Sequence, residues 1–244
     1  MKNSDLKKFR SLALVPGTTG EYYYNTLFNI FNLDYQYKAF KANDLANAIE
    51  DAKKNECFGI SITSPFKTEI LKYLDYKSDG VNQYQSCNTV LNVKGNLLGY
   101  NTDIFGVKHT LNFIKPNMKV LILGNGAMSL IYQHELSKNG MKYLVCARKN
   151  NSWDLRSDFY QIVINCTSIG EGEDVFEFKD LNISDTIIDV SMNLGYLASL
   201  AKLKNLKYVS GIDFYKHVFI NQFFLYTGIP ISGELFDDIR ASRK

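Results

Sequence analysis

The sequence predicts an α/β protein of two domains, an N-terminal α/β substrate domain followed by a C-terminal Rossmann-type nucleotide domain. Three observations predict it. Apolar β-like runs alternate with helix-period segments along the chain, the pattern of parallel sheets. A glycine-rich turn, Leu123-Gly124-Asn125-Gly126-Ala127-Met128-Ser129, stands between a strand and a helix. Ahead of it lie two polar motifs, Ser61-Ile62-Thr63-Ser64-Pro65-Phe66-Lys67 and Gly99-Tyr100-Asn101-Thr102-Asp103, the latter reached through Cys87-Asn88-Thr89-Val90. Each motif follows or ends a strand-like run, where α/β proteins place their chemistry. A polar site first and a dinucleotide site second point to hydride transfer.

The elements follow in order. Leu12 to Val15 reads as a short strand stopped by Pro16-Gly17, and Tyr22 to Phe31 as a helix stopped at Asn32. Tyr35 to Phe40 alternates as a strand, Leu45 to Lys54 has helical spacing, and Phe58 to Ile62 is a strand. Pro65 is suited to open a helix running to about Leu74. Thr89–Val93 and Leu97–Tyr100 flank Lys94-Gly95-Asn96 as a hairpin, and Asp103 caps a helix through Phe113. Pro116 marks a junction. Lys119–Leu123, Tyr143–Cys146, Ile162–Asn165, Thr186–Val190 and Tyr208–Ser210 read as strands, Met128–Lys138 and Phe214–Tyr226 as helices. The aromatic run Phe214, Tyr215, Phe219, Phe223, Phe224, Tyr226 reads as core packing rather than a cofactor box.

Composition excludes several classes. A net charge of +3 with scattered lysines gives no nucleic-acid stripe. No apolar run reaches about 18 residues, so no membrane span is expected. The polar, charged start to Arg10 does not read as a signal peptide. Cys57, Cys87, Cys146 and Cys166 lie far apart and read as reduced thiols of a cytoplasmic protein. His109, His134 and His217 have no ligand spacing, so no metal is expected.

The candidate chemistry is a proton relay. Lys67 supplies a titratable donor on a long stem, and Asp103 is suited to hold that ammonium. Thr63, Asn88 and Asn101 offer neutral hydrogen bonds to a polyhydroxylated substrate. Taken singly, Lys67 reads as a helix-start lysine and Asp103 as an N-cap. Their joint occurrence with Asn88 and Asn101 ahead of a nucleotide fold favours the catalytic reading.

In the turn, Gly124 permits the tight bend, Gly126 admits a pyrophosphate to the backbone, and Ser129 meets the need for a small third residue. An NAD site needs an acid roughly 20 residues after the first glycine. This chain has Ala147-Arg148-Lys149-Asn150 there, two cations suited to the 2′-phosphate of NADP, or else a solvated basic loop. Thr167 and Ser168, in Asn165-Cys166-Thr167-Ser168-Ile169-Gly170, are suited to line the nicotinamide side; an ordinary strand-to-loop turn is the other reading.

Together these motifs resemble the shikimate dehydrogenases. Ser64-Pro65-Phe66-Lys67 resembles that family's Thr-x-Pro-Phe-Lys, Asn88-Thr89 and Gly99-x-Asn101-Thr102-Asp103-x-x-Gly106 its two Asn-Thr motifs, and Gly124 to Ser129 its diphosphate loop. Asn165 to Gly170 resembles its Asn-Ala-Thr-Ser-x-Gly; Gly211 and Gln222-Phe223…Tyr226-Thr227-Gly228 resemble its C-terminal helix. The resemblance implies a substrate domain over 1–104, an NADP-binding Rossmann domain over 105–213, and helices over 214–244 that return to the first domain. It implies reversible reduction of 3-dehydroshikimate to shikimate by NADPH, in aromatic amino acid biosynthesis. Lys67 and Asp103 would be the catalytic pair, and Thr18, Thr63, Asn88 and Asn101 would bind substrate. Gly124, Asn125, Gly126, Ala127, Arg148, Lys149, Thr167, Ser168 and Gly211 would hold NADP. The expected partner is a small cyclic hydroxy acid or related carbocycle, bound by a monomer or homodimer.

The departures cluster at the carboxylate end of that pocket. The family's Ser-x-Ser falls at Thr18-Thr19-Gly20, where Gly20 has lost the hydroxyl. A tyrosine is replaced in Asp189-Val190-Ser191-Met192, a glutamine by Val218, and Asn-Arg-Thr by Ala147-Arg148-Lys149. The pattern is that of a divergent shikimate-dehydrogenase-like branch whose substrate need not be shikimate. Alternatives are a weakly catalytic NADP- or metabolite-binding regulatory module, and a quinate or aminocyclitol dehydrogenase. The short stretch between Arg148 and Asn165 predicts a truncated Rossmann helix.

Overall fold

The computed structural model describes residues 6–148, 152–167, 180–192 and 195–243. Two compact units divide the chain, one running to Thr102 and resuming at Phe219, the other spanning Asp103–Val218. Pro116 lies within the second unit.

The first unit is built on a mixed sheet of six strands, β1 (Lys7–Ala13), β2 (Tyr35–Lys41), β3 (Cys57–Ile62), β4 (Tyr76–Lys77), β5 (Thr89–Val93) and β6 (Asn96–Tyr100). Their order is β2-β1-β3-β5-β6-β4. β1 pairs in parallel with β2 and β3, whereas β5 and β6 form an antiparallel hairpin beside β3. Lys94 and Gly95, both at positive φ (53° and 89°), turn that hairpin, as two-residue loops of this twist require. Helices α1 (Thr19–Ile30), α2 (Leu45–Lys54) and α3 (Asp79–Tyr84) accompany the sheet. Strand alternation sorts the side chains by face. Leu12, Ile60 and Ile62 pack with Leu45, Ile49 and Ala52 of α2. The opposite face is aromatic: Tyr24 stacks on Tyr37 with centroids 4.3 Å apart, and Phe9 meets Phe28 and Tyr226.

Two sequence expectations need correction here. The first strand is Lys7–Ala13, not Leu12–Val15; Leu14 and Val15 lie beyond it and are exposed. Its start is polar because it tolerates lysines at the sheet end, while Phe9 and Leu12 supply the buried contacts. The segment after Pro65 is a turn followed by a 3-10 helix, Glu69–Tyr73, not an α-helix to Leu74. The Lys67 carbonyl accepts the Cys87 N–H at 2.8 Å, and Leu71 N–H turns to Thr68 O, so the α-helical ladder does not form. The short elements β4 and α3 carry no periodic signal long enough to be read.

The second unit holds a parallel sheet of β7 (Val120–Leu123), β8 (Tyr143–Cys146), β9 (Phe159–Asn165), β10 (Asn182–Asp189) and β11 (Lys207–Val209), ordered β11-β10-β9-β7-β8. Helices α4 (Asp103–Leu111), α5 (Ala127–Lys138) and α6 (Tyr196–Leu203) belong to it. Strand order reverses between β7 and β9, the topological switch point where doubly wound sheets bind ligands. Among the described residues between β8 and β9, Arg148 and Trp153–Ser157 are 3-10, where the short stretch predicts a truncated helix. Helix α7 (Gly211–Thr227) starts in this unit and ends in the first, which α8 (Gly233–Ser242) completes. Phe219, Phe223 and Tyr226 of α7 are buried, as core packing predicts, while Phe224 is exposed. All four cysteines are free.

Gly59 shows how tight the aromatic face is. A Cβ there would lie 2.8 Å from the Tyr226 ring and closer still to Phe9, both buried. Gly59→Ala is expected to cost about 1–3 kcal/mol by overpacking. Chemical denaturation checks this; an unchanged midpoint would contradict it.

Candidate functional site

In the first unit the candidate residues gather at the ends of β1, β3, β5 and β6. Thr63 follows β3, and its backbone N–H and hydroxyl both donate to Leu12 O, at 3.1 and 3.2 Å. That pins the Thr63 turn to the end of β1. Lys67 follows, half-buried, on the turn held by Cys87.

Asn88 precedes β5 and is buried. Its N–H donates to Tyr100 O and its own carbonyl accepts the Ile62 N–H at 2.8 Å, so it joins the ends of β3 and β6. The side chain is fully specified. Oδ1 accepts from Thr102 N–H at 2.8 Å, from the Thr89 hydroxyl at 2.9 Å and from the Thr102 hydroxyl at 3.2 Å. Nδ2 donates to Thr102 Oγ1 at 2.9 Å. The amide orientation is therefore set by a backbone donor. Asn101, also buried, donates to Ser86 O at 2.8 Å. Asp103, the next residue but one, is the first residue of α4 and is buried.

Beneath Asn88 lies a buried polar cluster, some of whose members stand in the motifs without a role in the site. Gln222 of α7 accepts from the Tyr24 hydroxyl (2.7 Å) and from Ser61 (3.1 Å) through Oε1. Its Nε2 donates to Thr89 Oγ1 (2.6 Å) and to Asn88 O (3.2 Å). Ser61, having spent its proton on Gln222, accepts from Tyr37 at 2.8 Å and Tyr226 at 2.9 Å. Every lone pair and proton of the Gln222 amide is used, which is what makes burying it tolerable. A lone amide on the helix face of Phe219, Phe223 and Tyr226 was the available signal.

Thr18 is exposed at the N-terminus of α1, and its hydroxyl accepts from Arg243 at 3.3 Å, with Thr19 accepting at 3.1 Å. Gly20 is in the first turn of α1.

In the second unit the expected nucleotide residues collect at the C-terminal ends of β7, β8 and β9. Gly124 has φ +98° and donates its N–H to Cys146 O at 2.7 Å. A Cβ on it would lie 2.9 Å from Thr167 Cγ2, so only glycine fits between the ends of β7 and β9. A Cβ on Gly126 would meet nothing within 4 Å, leaving the start of α5 open to an approaching group. Asn125 is exposed, Ala127 half-buried, and Ser129 wholly buried against the sheet. Thr167 is oriented by Asn165 Oδ1, which takes its N–H at 3.1 Å and its hydroxyl at 2.6 Å. Asn165 Nδ2 in turn donates to Asp189 at 3.0 Å. Arg148 is exposed two residues past β8. At Gly211 a Cβ would collide with the Ser191 carbonyl, so α7 begins hard against the end of β10. Met192 is exposed and Val218 buried. Lys149 and Ser168 lie outside the described residues. Open backbone at Gly126, a helix N-terminus and a nearby cation fit a dinucleotide phosphate. Among the described residues no group of three or more potential ligands is placed to hold a metal. No helix among them is long and apolar enough to cross a membrane.

Burial pushes the Tyr37 hydroxyl up to about 12 from 10.0, with the Ser61 hydrogen bond opposing. Its protonated form therefore stabilises the fold fully below pH 10, and that contribution is lost as pH rises towards 12. Tyr37→Phe is expected to flatten the fall of unfolding free energy over this window, by up to about 1.4 kcal/mol per pH unit. An identical slope in both proteins would contradict the assignment.

Residues 20–90 match the model of the shikimate dehydrogenase substrate binding domain. The chain is 28% identical to the NADP(+) shikimate dehydrogenase of Aquifex aeolicus over 230 residues, 85% of this chain and 86% of that one. It is 30% identical to the corresponding enzyme of Clostridium beijerinckii, covering 78% of this chain and 80% of the relative. The crystal structure of the Aquifex aeolicus shikimate dehydrogenase superposes with a TM-score of 0.81 at 25% identity, over all of both chains. With motif order, fold and sequence in agreement, this chain belongs to the shikimate dehydrogenase family.

Proposed function

We propose that the protein is an NADP-dependent oxidoreductase that interconverts a ring hydroxyl and a ring ketone, on shikimate and 3-dehydroshikimate or a close relative. The observation that carries this is Asn88, a buried amide fixed by Thr102 and Thr89 at the strand ends beside the Lys67 turn. A site built of neutral, pre-oriented donors suits hydroxyls on a ring. Relatives named as NADP(+) shikimate dehydrogenases support the same reaction type.

NADP, when bound, supplies the hydride acceptor in one direction and the donor in the other. The residues of this chain handle everything else. Gly124 and Gly126 would leave room for the diphosphate, and Arg148 would pair with the 2′-phosphate. Asn88, Asn101 and Thr63 hold the ring hydroxyls. Lys67 takes the proton from the reacting hydroxyl as that carbon loses hydride, and returns it to the carbonyl oxygen in reduction. Asp103 balances the ammonium and steadies its position. Gly20, Met192 and Val218 stand where the family keeps polar side chains, and a ring alcohol less demanding than shikimate is the better substrate.

Lys67→Ala is expected to lower kcat by about 10²–10⁴-fold, with substrate binding affected less. Steady-state kinetics on the best ring alcohol checks this; near-normal kcat would remove Lys67 from the mechanism. Arg148→Ala is expected to raise the KM for NADPH by the worth of one charge-assisted contact, about 1.5–3 kcal/mol, and leave NADH largely unchanged. Equal loss with both cofactors would show that Arg148 does not read the 2′-phosphate.

A further inference from the structure

We propose that Gln222 is a positioning residue for the ring-binding site, acting through Asn88 and Thr89; this rests on the reading of Asn88 as a ligand of the ring hydroxyls. Gln222 sits one helical turn beyond Val218 on α7, and it is buried. Its amide faces two ways. On one side Oε1 gathers Tyr24 and Ser61, which belong to the aromatic face of the sheet. On the other, Nε2 reaches the Asn88 carbonyl and the Thr89 hydroxyl.

The polarity of the chain of bonds carries the consequence. Because Nε2 donates to Thr89 Oγ1, that oxygen acts as an acceptor and its own proton goes to Asn88 Oδ1. The second Nε2 proton holds the Asn88 main chain through its carbonyl. Thr102 N–H chooses which end of the Asn88 amide is the acceptor, and Gln222 fixes where that amide stands. Without the Nε2 donors, Thr89 Oγ1 keeps only its bonds to Asn88 Oδ1 and Thr102 Oγ1, and one restraint on the Asn88 main chain is gone. A hydrogen-bonding ligand displaced by a fraction of an ångström loses its transition-state geometry. The C-terminal helix thus sets the precision of a site made from the strand ends.

Two substitutions separate the two faces of the amide. Gln222→Met keeps length and removes every polar contact. Gln222→Glu keeps an acceptor for Tyr24 and Ser61 and presents at most one donor towards Asn88. Kinetics and native-state hydrogen exchange are measured on both. Gln222→Met is expected to raise the ring-substrate KM about tenfold or more, with the NADP KM within about twofold. Gln222→Glu should fall between it and the native protein. Exchange at Thr102 N–H should quicken relative to Leu91 in the middle of β5. If the ring-substrate and NADP constants rise together, or neither moves while only thermal stability falls, Gln222 is a packing residue and the proposal is overturned. If the Met variant does not fold, the Glu variant alone decides by the same criteria. Failure of the native protein to turn over any ring alcohol would instead sink the functional reading. In that case the Thr102 exchange rate still decides whether Gln222 positions Asn88, and an unchanged rate overturns the proposal.

Discussion

The hydrogen bond from Thr102 N–H to Asn88 Oδ1 is the constraint on which the candidate site depends. It converts a freely rotating amide into one with a defined donor end and a defined acceptor end. Around it the Thr89 and Thr102 hydroxyls, and beneath them Gln222 and Ser61, have their protons assigned in sequence. Such a network is stable only if complete, since each orphaned buried group costs about 1–3 kcal/mol. Its members come from β3, β5, the end of β6, α1 and α7, so the first unit must be folded before the site exists. Asn88 is also bonded through its backbone to the ends of β3 and β6. On the proposed reading the same residue serves both the sheet and the ring site.

The second unit meets a different need with backbone rather than side chains. Its parallel sheet reverses order between β7 and β9. The turn after β7 bends through Gly124 at a φ that side chains avoid, in a space closed by Thr167 and the Cys166 carbonyl. Gly126 then opens α5 with nothing over its Cα. On the proposed reading, a negatively charged group would be served there by N–H donors that need no side chain. The absence of a regular helix between β8 and β9, among the described residues, shortens the unit without touching the switch point.

Much of this was legible in the sequence, for physical reasons. Strand alternation and the glycine of the Lys94-Gly95-Asn96 turn identified the β5–β6 hairpin, because positive φ at Gly95 favours glycine. The strand, the glycine turn and the helix after it were legible too, with Ser129 buried as a small residue allows. The first strand was misplaced because Pro16-Gly17 drew the boundary outward, while its buried contacts begin at Phe9. The helix expected after Pro65 failed because a distant donor, Cys87 N–H, takes the Lys67 carbonyl. No local pattern reports a partner that far away in the chain. Gln222 stands in the C-terminal helix motif, but its role in the cluster was not legible, for a related reason. Its partners, Tyr24, Ser61, Asn88 and Thr89, are scattered over the sequence and converge only in the folded unit.

The most direct test is the absorbance of reduced nicotinamide formed when the native protein is given NADP and a panel of ring alcohols that includes shikimate. Reduced cofactor is expected to form, with shikimate below the kcat/KM of ordinary efficient enzymes, about 10⁴ M⁻¹s⁻¹, and a ring alcohol with fewer polar groups above it. Binding of NADP with no oxidation of any member of the panel would contradict this.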